Sequence, residues 1–163
     1  MARQAGTRVR SLQAAARDAR RVQAREAQRA SLLSSGSGSQ WEARLLALLG
    51  PSGGRGCSLP SGLRDTGQRI SGDASWYGGS FAGQPTASGA TFDPSLFTAA
   101  HRTLPLGVFL RVHYGGNCAI VLVNDRGPYG NYQRIIDLAH EPADYLGIGV
   151  ARVTADVLVP RSS

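Results

Sequence analysis

The distribution of apolar and polar positions divides the chain near residue 57. Upstream, residues 8–33 are rich in Ala, Arg and Gln, with no Pro and no interior Gly. Helix propensity there is high, but the apolar side is thin, resting on Val9, Leu12, Ala16 and Ala19. A helix of that kind is marginal alone, so the segment is expected to enter a weak coiled coil or to stay partly disordered. The run Ser-Ser-Gly-Ser-Gly-Ser at 34–39 reads as a flexible linker. A short amphipathic helix is expected over 40–49, stopped by Gly50-Pro51. A second Gly-rich linker at 52–56 follows, and the folded domain is expected to occupy 57–163 after an arm of 1–56.

Downstream the pattern changes to short β-type runs broken by Gly and Pro, without helical periodicity. Strands are expected over 72–77, 98–100, 108–113, 118–124, 135–138 and 151–159. One helix fits at 142–146, with Pro142 in its first turn and Gly147 just past its end. Many short strands with one or two short helices predict a mainly β domain, a six-stranded closed barrel rather than an open sheet. Side chains fill the interior of so small a barrel, which leaves chemistry to the rim and surface grooves. Asp125 ends a strongly apolar strand at the corner Asn124-Asp125-Arg126-Gly127-Pro128, and His101 follows another strand.

Charge changes this picture little. Residues 1–56 hold ten Arg against Asp18, Glu26 and Glu42, a net of +7, whereas 57–163 balance eight Arg against eight acids. The basic pI of 10.4 therefore belongs to the arm. The domain shows no basic stripe interleaved with aromatics, which argues against nucleic acid as its partner. The arm has the composition to contact an anionic wall polymer, a membrane surface or a coiled-coil partner. Every basic residue is Arg, which reads first as compositional bias.

No apolar run approaches the roughly 20 residues that span a bilayer. The Arg-rich start has the look of a signal n-region, with no apolar h-region and small-residue cleavage site behind it. Cys57 and Cys118 match no metal pattern, so no metal or other cofactor is expected. They read as one disulfide closing a loop of roughly 60 residues, or as two buried thiols.

Five segments in order carry a resemblance: Ala74-Ser75-Trp76-Tyr77-Gly78, Thr86-Ala87-Ser88-Gly89, Ala99 to Gly107 around His101, Val123 to Pro128, and Arg134-Ile135-Ile136-Asp137-Leu138. Over about 73–159 the chain resembles the rare lipoprotein A (RlpA-like) domain, a double-psi β-barrel. The resemblance implies an exported protein of the cell wall or envelope, associated with the septum, that acts on peptidoglycan glycan strands with or without stem peptides. Enzymatic members are lytic transglycosylases, lyases that cut between N-acetylmuramic acid and N-acetylglucosamine and leave 1,6-anhydro ends.

The motif places the catalytic acid at Asp125, with His101 beside it to bind sugar or orient the acid. Trp76, Tyr77, Thr86, Ser88, Arg126 and Tyr129 fall at substrate-binding positions, with Trp76, Tyr77 and Phe81 available as a stacking platform. One departure stands out. Members that cleave usually carry Glu directly after Thr-Ala-Ser-Gly, and this chain has Ala90. A second reading follows from it: a non-catalytic, expansin-like module that binds wall glycan. Asp93, three residues on, is a candidate to approach the same space.

Overall fold

The computed structural model describes residues 37–162, together with residues 13, 15–17, 19–21 and 23 of the arm, which are helical. The rest of the expected 8–33 helix, and 34–36 of the first linker, lie outside the described residues. Six strands close into a barrel: β1 (Leu63–Tyr77), β2 (Thr98–Ala100), β3 (Phe109–Tyr114), β4 (Asn117–Asp125), β5 (Arg134–Ala139) and β6 (Ala151–Pro160). Their order around it is β1-β5-β2-β4-β3-β6. The β1·β5 and β2·β4 pairs are parallel and the others antiparallel.

Five strands fall where the pattern expects them. β1 begins at Leu63 rather than 72, because its first half is polar and exposed and is held by backbone pairing to β6 instead of by an apolar face. The helix α2 (His140–Leu146) ends as expected on Gly147, whose left-handed φ of 79° lets its N–H reach the carbonyls of Ala143 and Asp144. β4 is buried from Cys118 to Asn124 without alternation, since the barrel interior takes one face and neighbouring segments cover the other.

Those covering segments correct the expected boundary at Cys57. The helix α1 (Ser37–Leu46) takes in half of the presumed 34–39 linker. A 3-10 turn (Ala47–Ser52) then runs on through Gly50-Pro51, bent by the non-helical Gly50, and stops at Gly53. Trp41, Leu45, Leu46 and Leu48 pack on the core, and Leu49 is buried in it. The presumed second linker is an added edge on β4. Arg55 bridges Ala119, Gly54 O accepts from Ile120 N–H, and Gly56 N–H donates to Cys118 O. Cys57 and Cys118 form the disulfide.

On the side of the barrel where β1, β3 and β6 meet, Asp156 is 5% exposed and is held by three side chains. Arg69 Nε and Arg111 Nε each donate at 2.9 Å, and His113 Nε2 donates at 2.6 Å. Burial alone would raise its pKa, but the bonds from His113, Arg111 and Arg69 outweigh burial and hold the carboxyl down at about 2. The folded state thus prefers the ionised form. That stability is present above the ordinary carboxylate value and is lost as pH falls toward 2. Replacing Asp156 with Asn is expected to cost about 2 kcal/mol at neutral pH, read by urea denaturation, with the cost shrinking steadily below pH 4.

Candidate functional site

A bulge sets the site. In the β2·β4 pair, Ala99 faces Val123, but Ala100 faces Asp125, so Asn124 is an extra residue in β4. A bulge re-aims the side chains that follow it. Asn124 is 1% exposed and covered by α1, whereas Asp125 takes the place opposite Ala100. Ala100 also pairs with Asp137 on β5, and Asp137 pairs with Ser75 on β1. Ser75, Asp137, Ala100 and Asp125 therefore form one row across four strands, on one face. The two carboxylates are separated by the small Ala100, with Cα atoms about 10 Å apart at two strand spacings.

The row opens into two adjoining clefts. One, of about 270 Å³, is lined by Asp125, Arg126, Ala100, Asp137, Tyr77, Phe81 and the Gly127–Tyr129 turn. The other, of about 540 Å³, adds Ser75, Trp76 and Arg134 and shares Tyr77, Phe81, Pro128, Tyr129 and Asp137 with the first. The Gly127-Pro128 peptide in this turn is cis.

Asp125 Oδ1 accepts the backbone N–H groups of Ala87 and Arg126, each at 2.9 Å. Burial raises its pKa above the ordinary value, against the opposing effects of those two amides, the Arg126 charge and the Tyr77 hydroxyl. Tyr77 is pushed far above its ordinary range, first by burial and then by Asp125, Asp137 and Glu42. Asp137 accepts from Ser75 Oγ at 3.1 Å. Burial pushes Asp137 up to about 6, with Ser75 and Arg134 opposing and Asp125 adding to the rise. Two hydroxyls of cleft-lining residues, those of Tyr77 and Tyr129, are buried and have no hydrogen-bond partner of good geometry among the described residues. Burial also raises Tyr129. The arrangement can hold a proton on a carboxyl near neutrality and offer hydroxyl donors around it.

Asp137 was not legible as a site residue. It lies inside one of the resembling segments, but only the register shows that it shares a face with Asp125. The available signal was a carboxylate interrupting the apolar run Ile135-Ile136-Asp137-Leu138.

Other expected positions behave differently. His101 Nδ1 accepts the N–H groups of Thr103 and Leu104, at 3.1 and 3.0 Å, instead of orienting Asp125. Burial, with Arg102 and Arg126 adding to it, lowers His101 to about 4, so the ring is neutral at pH 7 and its proton sits on Nε2. Its link to Asp125 is through the backbone, His101 N–H to Asp125 O. Thr86 and Ser88, expected to bind substrate, are each 3% exposed and are used internally. Their hydroxyls lie 2.7 Å apart, and Thr86 Oγ1 donates to Ala90 O. They brace the 86–90 loop that presents Ala87 N–H to Asp125.

Arg126 lines the cleft, but its Nη1 donates to the carbonyls of His101 and Leu104. Trp76 and Phe81 are exposed at 44% and 52%, while Tyr77 stacks on Phe92 at 4.4 Å behind them. The platform is thus Trp76 and Phe81, with Trp76 set edge-on against His140. Asp93 lines a different cleft and accepts from Ser95. Ala90 is 1% exposed beneath α1.

The family model described as "Lytic transglycolase" matches residues 69–156. The "Endolytic peptidoglycan transglycosylase RlpA" of Neisseria meningitidis serogroup A is 47% identical over 98 residues, 56% of this chain and 40% of that protein. The protein of the same name from Pseudomonas aeruginosa UCBPP-PA14 is 47% identical over 97 residues, 56% of this chain and 28% of that protein. The chain spans less than half the length of these curated relatives. A solved structure, "Streptomyces papain inhibitor (SPI)", is 26% identical with a TM-score of 0.46, covering 57% of this chain and 96% of that one. Since the matched residues make up more than half of the chain and hold the whole Ser75–Asp125 row, this protein belongs to the lytic transglycolase family.

Proposed function

We propose that the chain cuts peptidoglycan glycan strands internally, between N-acetylmuramic acid and N-acetylglucosamine, outside the cytoplasm in the cell wall or envelope. The observation that carries this reading is the Asp125 carboxyl: one oxygen tied to two backbone amides, burial favouring its protonated form, and an open cleft beside it. The protonated carboxyl gives its proton to the glycosidic oxygen as the bond to the anomeric carbon breaks. The resulting carboxylate takes the proton of the muramyl C6 hydroxyl as that oxygen closes on the anomeric carbon. One carboxyl serves both steps and no water enters, unlike hydrolysis with its two carboxylates.

The amides of Ala87 and Arg126 keep the carboxylate in place between the steps. Asp137, across Ala100, supplies a second negative charge for the oxocarbenium-like transition state. Tyr77 and Tyr129 offer their hydroxyls to sugar hydroxyls or ring oxygens, and Trp76 with Phe81 offers apolar faces to the rings. The arm is read as a tether to an anionic surface or a partner helix.

Ala90 favours a second reading, a wall-binding module without turnover. Incubation with purified sacculi separates the two. The cleaving protein sediments with sacculi and releases soluble fragments, and Asp125→Asn sediments equally but releases none. Sedimentation with no release by either protein supports the binding module, and loss of sedimentation rejects both.

A further inference from the structure

Glu42 is a buried carboxyl that the chemistry above does not use. It projects from α1, is 5% exposed, and its Oε1 accepts from Asn124 Nδ2 at 3.3 Å. The other amide atom, Asn124 Oδ1, is buried with no donor among the described residues. A carboxylate has no proton to give that oxygen, but a carboxylic acid does. The reciprocal acid–amide pair is the state that satisfies both side chains. Burial pushes Glu42 up to about 7, with the Asn124 bond opposing and the charge of Asp93 adding to the rise.

One turn earlier on the same face of α1, Gly38 seats the helix directly on the 86–90 loop. A Cβ at that position would stand 2.7 Å from Gly89 C and 2.9 Å from Ala90 N, so only Gly permits the approach. The loop is thereby clamped from both sides. Its outer side carries α1, and its inner side gives Ala87 N–H to Asp125 and Ser88 N–H to Asn124 O. Ala90, where the family resemblance implies a glutamate, is itself buried and meets Gly38 of α1 through its backbone.

We propose that Glu42 is a positioning residue for Asp125: paired with Asn124 as a carboxylic acid, it pins α1 across the 86–90 loop and so fixes the amide that aims the Asp125 carboxyl. The carboxyl missing at position 90 is thus replaced in the site's support, from a helix outside the barrel. The consequence for turnover rests on the glycan-cutting reading, but the clamp itself does not. The groups that face Glu42 are Asn124 from β4, Tyr77 from β1 and Asp93 from the loop opposite α1. Of these Asp93 is the charged one, and it repels an ionised Glu42. Raising pH through neutrality therefore loosens α1.

The test is Ala87 amide exchange by NMR, corrected for intrinsic rate, at about pH 5.5 and about pH 8.5. Wild-type protection is expected to fall about tenfold or more at the higher pH. Glu42→Gln, which can still accept from and donate to Asn124, keeps protection at both. Glu42→Ala loses it at both, and so does Gly38→Val, which unseats α1 with Glu42 intact. Losing this amide also raises the Asp125 titration midpoint, read from its carboxyl carbon.

Wild-type protection that does not change with pH overturns the proposal. So do wild-type behaviour in Glu42→Ala and Gly38→Val, or a Glu42→Gln protein that matches Glu42→Ala. None of these readings involves glycan. Confirmed clamping in a protein that releases no fragments would sink the cleavage reading and leave the role of Glu42 standing.

Discussion

Asp125→Asn is expected to lower kcat/KM on glycan strands by at least about 10³-fold, about 4 kcal/mol of transition-state stabilisation. The amide keeps the size and the oxygen that accepts from Ala87 and Arg126, so the loop geometry survives. What disappears is the acidic proton that the glycosidic oxygen needs. Stability is expected to move the other way. Burial raises the Asp125 pKa, so the folded state binds a proton that the unfolded chain has already released. The sign follows: that carboxyl's contribution is largest below its unfolded value and declines as pH rises through the folded one. A neutral isostere removes the penalty at pH 7. Thermal denaturation should therefore show Asp125→Asn as stable as the wild type or more so. A variant that is inactive because it has unfolded would contradict the assignment.

The second large effect belongs to the Cys57–Cys118 bridge. It spans 61 residues of sequence and fastens the 53–57 edge to β4, the most buried strand of the barrel. In the chain-entropy description, freeing a loop of that length costs about 4 kcal/mol. For a domain of this size that corresponds to a fall in Tm of roughly 15 °C. Cys57→Ser combined with Cys118→Ala is the suitable variant, since a hydroxyl at the fully buried 118 would add its own desolvation cost. A double variant that melts within a few degrees of wild type would show that pairing of the edge with β4 suffices without the bridge.

The strand positions were readable because β2 to β6 are apolar runs cut by Gly and Pro, and burial of those runs is what makes them strands. The first half of β1 was not readable, because residues 64–69 are exposed and owe their extension to hydrogen bonds with β6, which leave no mark in hydropathy. The same limit applies to the site. Asp125 and His101 were visible as chemistry-bearing residues, but the direction of the His101 ring depended on which amides it could reach. Thr86 and Ser88 were visible as polar side chains in a motif, yet their hydroxyls satisfy each other and the Ala90 carbonyl.

Asp137 and Glu42 were missed for a related reason: each becomes relevant only through a partner far along the chain. Asp137 requires the β5-β2-β4 order, and Glu42 requires α1 to dock across the bulge at Asn124. Residues 52–56 are an edge on β4 and not a linker, because glycines that look flexible in sequence there let backbone approach backbone. At Gly54 a Cβ would stand 2.4 Å from Ile120 O.

The most direct test of the Asp125 mechanism is the mass of the new chain end when glycan strands free of stem peptides are digested by the wild-type protein. Intramolecular attack by the C6 hydroxyl gives 1,6-anhydro ends, one water lighter than a hydrolysed end, and these should be formed by the wild type and be absent with Asp125→Asn. Reducing ends that carry the added water, or anhydro ends formed equally by both proteins, would contradict it.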